Sequence, residues 1–242
     1  MYDSGEISLS REPIYRPAWT SVDDIIATVR RWGIIVFPEF VPAKSLAALN
    51  AEFDAMMAQR ASLGFVRDEY DNLANIRVVR ARLDRTAFPA TSTFFSDPMM
   101  TAVADAYYGP GLYRLNYEIF VSNLAETQGP QHAPPFALHF DRKNLLKFFI
   151  YLTDTDESNG AMRASPGSNG RNRVARLESL KTTNVRDVEN VVPEPATPSM
   201  PITGPAGTMF VFDTDVCHGA SVVGSGRTRR TMRGHTEFVD AA

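Results

Sequence analysis

The stretch Ala137-Leu-His139-Phe-Asp141-Arg-Lys-Asn-Leu145-Leu-Lys147-Phe-Phe149-Ile-Tyr151-Leu152 decides how the chain is read. It contains two strand-like runs, 137–141 and 145–152, joined by a polar turn. In extended backbone the side chains at i and i+2 share a face, so His139 and Asp141 point the same way and can grip one metal ion. Similar short runs stand at 112–121, 161–164, 208–212 and 229–238. Turn residues separate them, and no long helical pattern intervenes. Strand after strand argues for antiparallel pairing in a sandwich or open barrel rather than a parallel nucleotide-binding sheet.

The residues before this region predict helix, strand, helix. Ser21 can cap a helix running to Arg31, with Asp23 and Asp24 at its positive end. Gly33 to Val41 is a short apolar run, and Pro42 opens a second helix over 43–61. Residues 64–89 show no clean period and read as loop or short edge pieces that could form a mobile cover. Ser96 caps a further helix with Pro98 in its first turn, and Gly109-Pro-Gly111 ends it. The segment 171–205, proline-rich from Pro193 onward, reads as an insertion or lid between strands.

A chain of 242 residues with 44% hydrophobic content predicts one domain over 1–242. Its 25 Lys and Arg against 28 Asp and Glu leave a net charge of -3, so nucleic acid and anionic lipid are not expected partners. Cys217 is the one cysteine, which excludes an internal disulfide and any Cys-x-x-Cys site. With neither a leader pattern nor a long apolar run, the expectation is a cytoplasmic protein.

Four histidines stand at 132, 139, 218 and 235. Two have a carboxylate two positions on, His139 with Asp141 and His235 with Glu237. With 28 acids in 242 residues, about one histidine in nine has such a partner by accident, so the pair alone is weak. Chain order favours the first. A facial triad needs a third ligand from a distant strand, and His218 follows the apolar run 208–212, whereas five residues remain after Glu237. His132, amid prolines, reads as a loop residue.

Several blocks together resemble the phytanoyl-CoA dioxygenase family of iron(II)- and 2-oxoglutarate-dependent oxygenases. They are Gly33 to Val41 with the helix after it, His139-Phe-Asp141, Phe149 to Ser168 with its Asn-Gly turn and Pro-Gly-Ser segment, and Gly207 to Asp213 through Cys217-His218-Gly219. They run in the family's order over nearly the whole chain. Two positions depart from the family pattern, Asn169 where a histidine commonly closes the Pro-Gly-Ser motif and Cys217 in place of a frequent aromatic.

The resemblance implies a mainly β fold with flanking helices around a double-stranded β-helix, the jelly-roll or cupin-like core. It implies iron(II) held by His139, Asp141 and His218, with 2-oxoglutarate and dioxygen converted to succinate and carbon dioxide; ascorbate serves as reductant in vitro. The family places an arginine about eleven residues beyond the distal histidine to bind the remote carboxylate of 2-oxoglutarate, which points to Arg229. Arg227 is the reserve, since a bulge would change the register. Arg229, Thr231, Arg233 and His235 share one strand face. Arg233 suits an acidic substrate group or a surface ion pair, and Arg230 a basic edge. Lys147 suits the C1 end of the cosubstrate or plain exposure, with exposure slightly favoured; Phe149 and Tyr151 read as barrel filling.

The intact Asp141 argues against halogenation, in which a small residue replaces the carboxylate. Hydroxylation of a small metabolite, amino-acid-like or a natural-product intermediate, is the leading expectation. The alternative is a cupin-like metal protein without oxygenase activity, an isomerase or small-acid sensor.

Overall fold

The computed structural model describes residues 7–66, 72–126, 137–192 and 197–238. Helix α1 (Val22–Trp32) leads into strand β1 (Ile34–Phe37), then α2 (Ala43–Ala58) and the single turn α3 (Arg60–Leu63). Strands β2 (Phe65–Val66) and β3 (Leu73–Val79) precede α4 (Pro89–Phe94) and α5 (Pro98–Tyr108). Then come β4 (Tyr113–Ala125), β5 (Leu146–Tyr151), β6 (Met162–Ser165) and α6 (Asn169–Ser179). Strands β7 (Met200–Ile202), β8 (Met209–Asp213), β9 (Cys217–Ala220) and β10 (Thr228–Phe238) complete the described elements. None of the described helices is long and apolar enough to cross a membrane.

The strands form an antiparallel seven-stranded sheet in the order β1-β8-β5-β10-β4-β3-β2 and a three-stranded sheet, β7-β6-β9. Consecutive strands alternate between distant places, the jelly-roll crossing that the sequence led us to expect. The pleat gives the large sheet two faces. Ile76, Val78, Ile119, Val121, Ile150 and Met232 pack outward against α2 and α4, while Leu146, Phe148, Met209 and Val211 pack against α1 and α5. The inner face meets the small sheet: Phe210, Phe212 and Tyr151 pack on Met162, Ala164, Met200 and Ile202. Each such ring or branched side chain removed from water contributes about 1.5–3 kcal/mol.

Local signals explain the helix boundaries. Ser21 Oγ accepts from Asp24 N at 3.2 Å, and Gly33, at φ 79°, turns the chain out of α1. Gly33 is also a close approach, because a Cβ there would lie 2.6 Å from Val216 Cβ. In α5 the cap is Asp97, whose carboxylate accepts from Met99 N at 2.9 Å, in place of the expected Ser96.

Three other expectations change. Residues 73–79, read as loop or edge pieces, form a seven-residue strand paired with β4 over its whole length. The segment 171–205 is not a free insertion: its start belongs to α6, and Met200–Ile202 is strand β7 of the small sheet. The run 137–141 is extended but joins the sheets only through bridges from His139 to Val191 and His218.

Candidate active site

Backbone pairing brings the three sequence-selected residues together. His139 N donates to His218 O at 2.9 Å, and His218 N to His139 O at 2.7 Å. Asp141 N donates to Thr214 O, 2.9 Å away in the turn between β8 and β9. Each imidazole has Nδ1 2.8 Å from a carbonyl two residues earlier, Ala137 O for His139 and Val216 O for His218. Donation of Nδ1–H to those carbonyls leaves the lone pair on Nε2. Both Nε2 atoms stand 3.6 Å from Asp141 Oδ1, and the three ligand atoms lie within 4.8 Å of one another. Two imidazoles and a carboxylate on one side of a point are the donor set of a facial triad, so the residues fit a first-row divalent ion.

Lys147 completes the electrostatics. It is buried rather than exposed, and its Nζ stands 2.7 Å from Asp141 Oδ2, the oxygen turned away from the histidines. Burial alone would raise the Asp141 pKa; the Lys147 charge beside it outweighs burial and holds the carboxyl well below its usual range. Burial, reinforced by the Lys147 charge, pushes His218 down to about 3, so the ring is neutral at physiological pH.

The turn carrying Thr214 and leading to His218 rests on a buried polar cluster that sequence reasoning missed. Arg176 of α6 holds Asp215 with two bonds of 2.8 and 2.9 Å. Asn144 Nδ2 donates to Asp213 and Asp215, and the Tyr107 hydroxyl donates to Asp213 Oδ2 at 2.5 Å. Ser168 Oγ accepts from Cys217 N at 2.8 Å, so the Pro-Gly-Ser turn props the strand of the distal histidine. Buried aspartates with no histidine beside them in sequence gave no signal; their meaning comes from α6 packing across the turn.

The triad opens into a cavity of about 590 Å³ whose walls include Lys147, Phe149, Phe212, Arg229, Thr231, Arg233 and His235. The expected shared face of β10 is therefore the cavity face. Arg229 is buried and donates through Nη1 to Gly160 O, while its Nε is a buried donor without an acceptor. It has no ion-pair partner among the described residues, and burial lowers its pKa. Arg227 does not reach the cavity: it pairs with Asp156 at 2.5 Å on the surface. Arg230, on the opposite face of β10, pairs with Asp54 at 3.0 Å and lies over Phe53. His235 and Glu237 line the cavity, and the triad does not include them. Phe149 lines it too, whereas Tyr151 fills the core, its hydroxyl donating to Ile202 O at 2.9 Å. His132 lies outside the described residues.

The profile of the phytanoyl-CoA dioxygenase (PhyH) family matches residues 29–231. The chain belongs to this family. A similar curated protein is the "Multifunctional dioxygenase ausE" of Aspergillus calidoustus, 23% identical over 219 residues that span 84% of this chain and 68% of the relative. Among solved structures, the epimerase SnoN in complex with Fe3+, alpha ketoglutarate and nogalamycin RO shares the fold at TM-score 0.65 and 18% identity, over 90% of this chain and 83% of SnoN. HygX from Streptomyces hygroscopicus with nickel and 2-oxoglutarate bound does so at TM-score 0.63 and 13% identity, over 91% and 89% of the two chains. A carbocyclase of nogalamycin biosynthesis, SnoK, aligns at TM-score 0.64 and 18% identity over 90% of this chain and 85% of its own.

Within the PhyH family, the two departures of this chain have structural accounts. Asn169 is buried, and its amide donates to Arg30 O at 3.1 Å, tying α6 to the end of α1. Cys217 is buried beside His218 in β9, where its backbone N–H donates to Ser168 Oγ.

Proposed function

We propose that this PhyH-family protein is an iron(II)- and 2-oxoglutarate-dependent oxygenase that hydroxylates a small-molecule metabolite and releases succinate and carbon dioxide. The observation that carries the reading is the buried Arg229 guanidinium, lacking an anionic partner among the described residues, in the same cavity as the His139, Asp141 and His218 triad. A buried cation costs several kcal/mol unless it is paired. A planar fork with an orphaned N–H meets a carboxylate with two parallel bonds. The cosubstrate's C5 carboxylate has that shape, and SnoN and HygX carry the same α-keto acid.

His139, Asp141 and His218 would hold iron on one side and leave the opposite side for the α-keto acid and dioxygen. Iron bound there supplies the activation of dioxygen against the keto acid that oxidation of an unreactive C–H bond needs. Lys147 neutralises Asp141 Oδ2 and so turns Oδ1 toward the imidazoles; its place on the cavity wall suits it to the C1 carboxylate as well. Phe149 and Phe212 give the cavity apolar walls beside the triad, which hold a substrate carbon skeleton and exclude water. SnoN and SnoK are named an epimerase and a carbocyclase, so one fold serves several outcomes and substrate placement chooses among them. The carboxylate at Asp141 closes the position that a halide would need, which leaves oxygen insertion as the first choice.

The purified protein with iron(II), ascorbate and 2-oxoglutarate is expected to form succinate. Under anaerobic conditions it is expected to show the visible charge-transfer band of an iron-chelated α-keto acid. His139→Ala and Asp141→Ala are each expected to abolish both signals. Succinate formation untouched by both changes would refute the site, and metal binding with neither signal would favour a cupin-like isomerase or sensor.

A further inference from the structure

We infer that His235 binds the substrate: presented to the cavity by a bulge between β4 and β10, it hydrogen-bonds an uncharged hydroxyl group on a substrate that is apolar where it meets Phe120 and Phe149. The inference rests on the oxygenase reading for the use made of the bound molecule, while the placement of His235 is independent of it.

The bulge sets this residue apart. Gly234 pairs with Ile119 and Thr236 with Leu115, so one residue of β10, His235, stands opposite three of β4, 116–118. Asn116 takes a left-handed φ of 48°, which a residue other than glycine adopts only at a cost. Its buried amide holds the bend by donating to Phe95 O at 3.0 Å and to Met100 Sδ at 3.4 Å. Gly234 leaves the room, because a Cβ there would run into Asn116 Oδ1. Bulges of this kind re-aim a side chain beside an active site. On its other side His235 pairs with Lys147 of β5, whose Nζ holds Asp141 at 2.7 Å. Side chains directly opposite on one face have Cβ atoms about 4.5–5.5 Å apart, so His235 stands beside the cation that holds the triad's carboxylate.

Among the described residues neither ring nitrogen of His235 has a hydrogen-bond partner, and Nδ1 is buried. The ring lines the cavity, which leaves its Nε2 edge to whatever enters. It leans on Phe120, the two centroids 5.3 Å apart. The ligand that suits this position is uncharged. Burial, followed by the Arg233 and Lys147 charges, pushes the imidazole down to about 3, so it carries no charge at neutral pH. Arg77 and Lys147 on the same walls already hold carboxylates, Glu118 at 3.3 Å and Asp141 at 2.7 Å. A neutral imidazole offers one N–H and one lone pair, and a hydroxyl answers either of them, whichever tautomer the ring adopts. Phe120 and Phe149 line the cavity with it and hold the carbon skeleton.

The test titrates the protein, with nickel(II) and 2-oxoglutarate present, by calorimetry with 4-ethylphenol, 2-naphthol and cyclohexylmethanol. Each is compared with the hydrocarbon that lacks its oxygen: ethylbenzene, naphthalene and methylcyclohexane. His235→Phe keeps a ring against Phe120 and removes both nitrogens. It is expected to weaken at least one hydroxyl compound about fivefold or more, while the matching hydrocarbon and 2-oxoglutarate bind as they do to the wild type. His235→Gln, which still offers a donor and an acceptor, should recover part of the loss, and this separates a lost hydrogen bond from a packing defect. The inference is overturned if His235→Phe weakens none of the hydroxyl compounds, if it weakens alcohol and hydrocarbon alike in every pair, or if His235→Gln recovers nothing. Titration of the nickel-loaded wild type with 2-oxoglutarate alone tests the oxygenase reading separately: a hydroxyl-specific loss in His235→Phe without 2-oxoglutarate binding would sink that reading and leave the His235 site standing.

Discussion

Asp213 shows how the support of the site sets a property of the fold. Burial, followed by repulsion from Asp215, raises its pKa to about 7, despite bonds from Tyr107 and the Asp215 amide that favour the charged form. An unfolded aspartate titrates near about 3.9, so between these values the folded chain binds more protons at this position than the unfolded one. The stability contributed by the neutral acid is complete below the unfolded value and is lost as pH rises through about 7. Asp213→Asn keeps the Oδ1 acceptor used by Asn144 and the Asp215 amide, and places an N–H toward the Tyr107 hydroxyl. Denaturant melts of both proteins at pH 5 and pH 8 should show the variant gaining on the wild type as pH rises. A stability difference that is the same at both pH values would mean that Asp213 is already ionised in the fold.

At the scale of elements, the site hangs on the junction of α1 with β1. Gly33 lies in the left-handed region, and its bare Cα lets Val216 approach, the residue whose carbonyl orients the His218 ring. Gly33→Ala adds a backbone cost of about 1–2 kcal/mol and a methyl 2.6 Å from Val216 Cβ, in place of ordinary contact. The expected result is a melting temperature lower by roughly 4–8 °C together with weaker metal binding in calorimetry; unchanged metal affinity would mean that Val216 yields without moving His218. This coupling was not legible in the sequence, where Gly33 marks only a helix end. Strand β3 was illegible for a related reason. Ile76 and Val78 pack outward while Asn75 and Arg77 face the cavity, an alternation of only four residues, too short to reveal the strand. The metal pair, by contrast, needed only two-residue periodicity and the order of the strands. Lys147 stood in the sequence as a candidate for the cosubstrate or for plain exposure, but its pairing with Asp141 is visible only once the turn after Asp141 folds β5 back beneath it.

Across the whole molecule, the helices stabilise the outer face of the large sheet, while its inner face is divided between an apolar half under the small sheet and a charged half around the cavity. That division costs stability, because Arg229 is buried with no anion of the chain beside it among the described residues. Replacing a buried, unpaired charge with an apolar group of similar size is often neutral or stabilising. Arg229→Met is therefore expected to melt no lower than the wild type when neither carries ligand. The wild type with nickel(II) and 2-oxoglutarate at about a hundredfold its dissociation constant should gain about 2.7 kcal/mol, a rise of roughly 5–10 °C. The variant should keep the part of the shift due to nickel alone and lose the part due to 2-oxoglutarate. Differential scanning fluorimetry with metal, cosubstrate and both separates these contributions. A variant that melts far lower without ligand, yet keeps the 2-oxoglutarate shift, would make Arg229 a structural partner of Gly160 and return the choice of anchor to the other cations of the cavity.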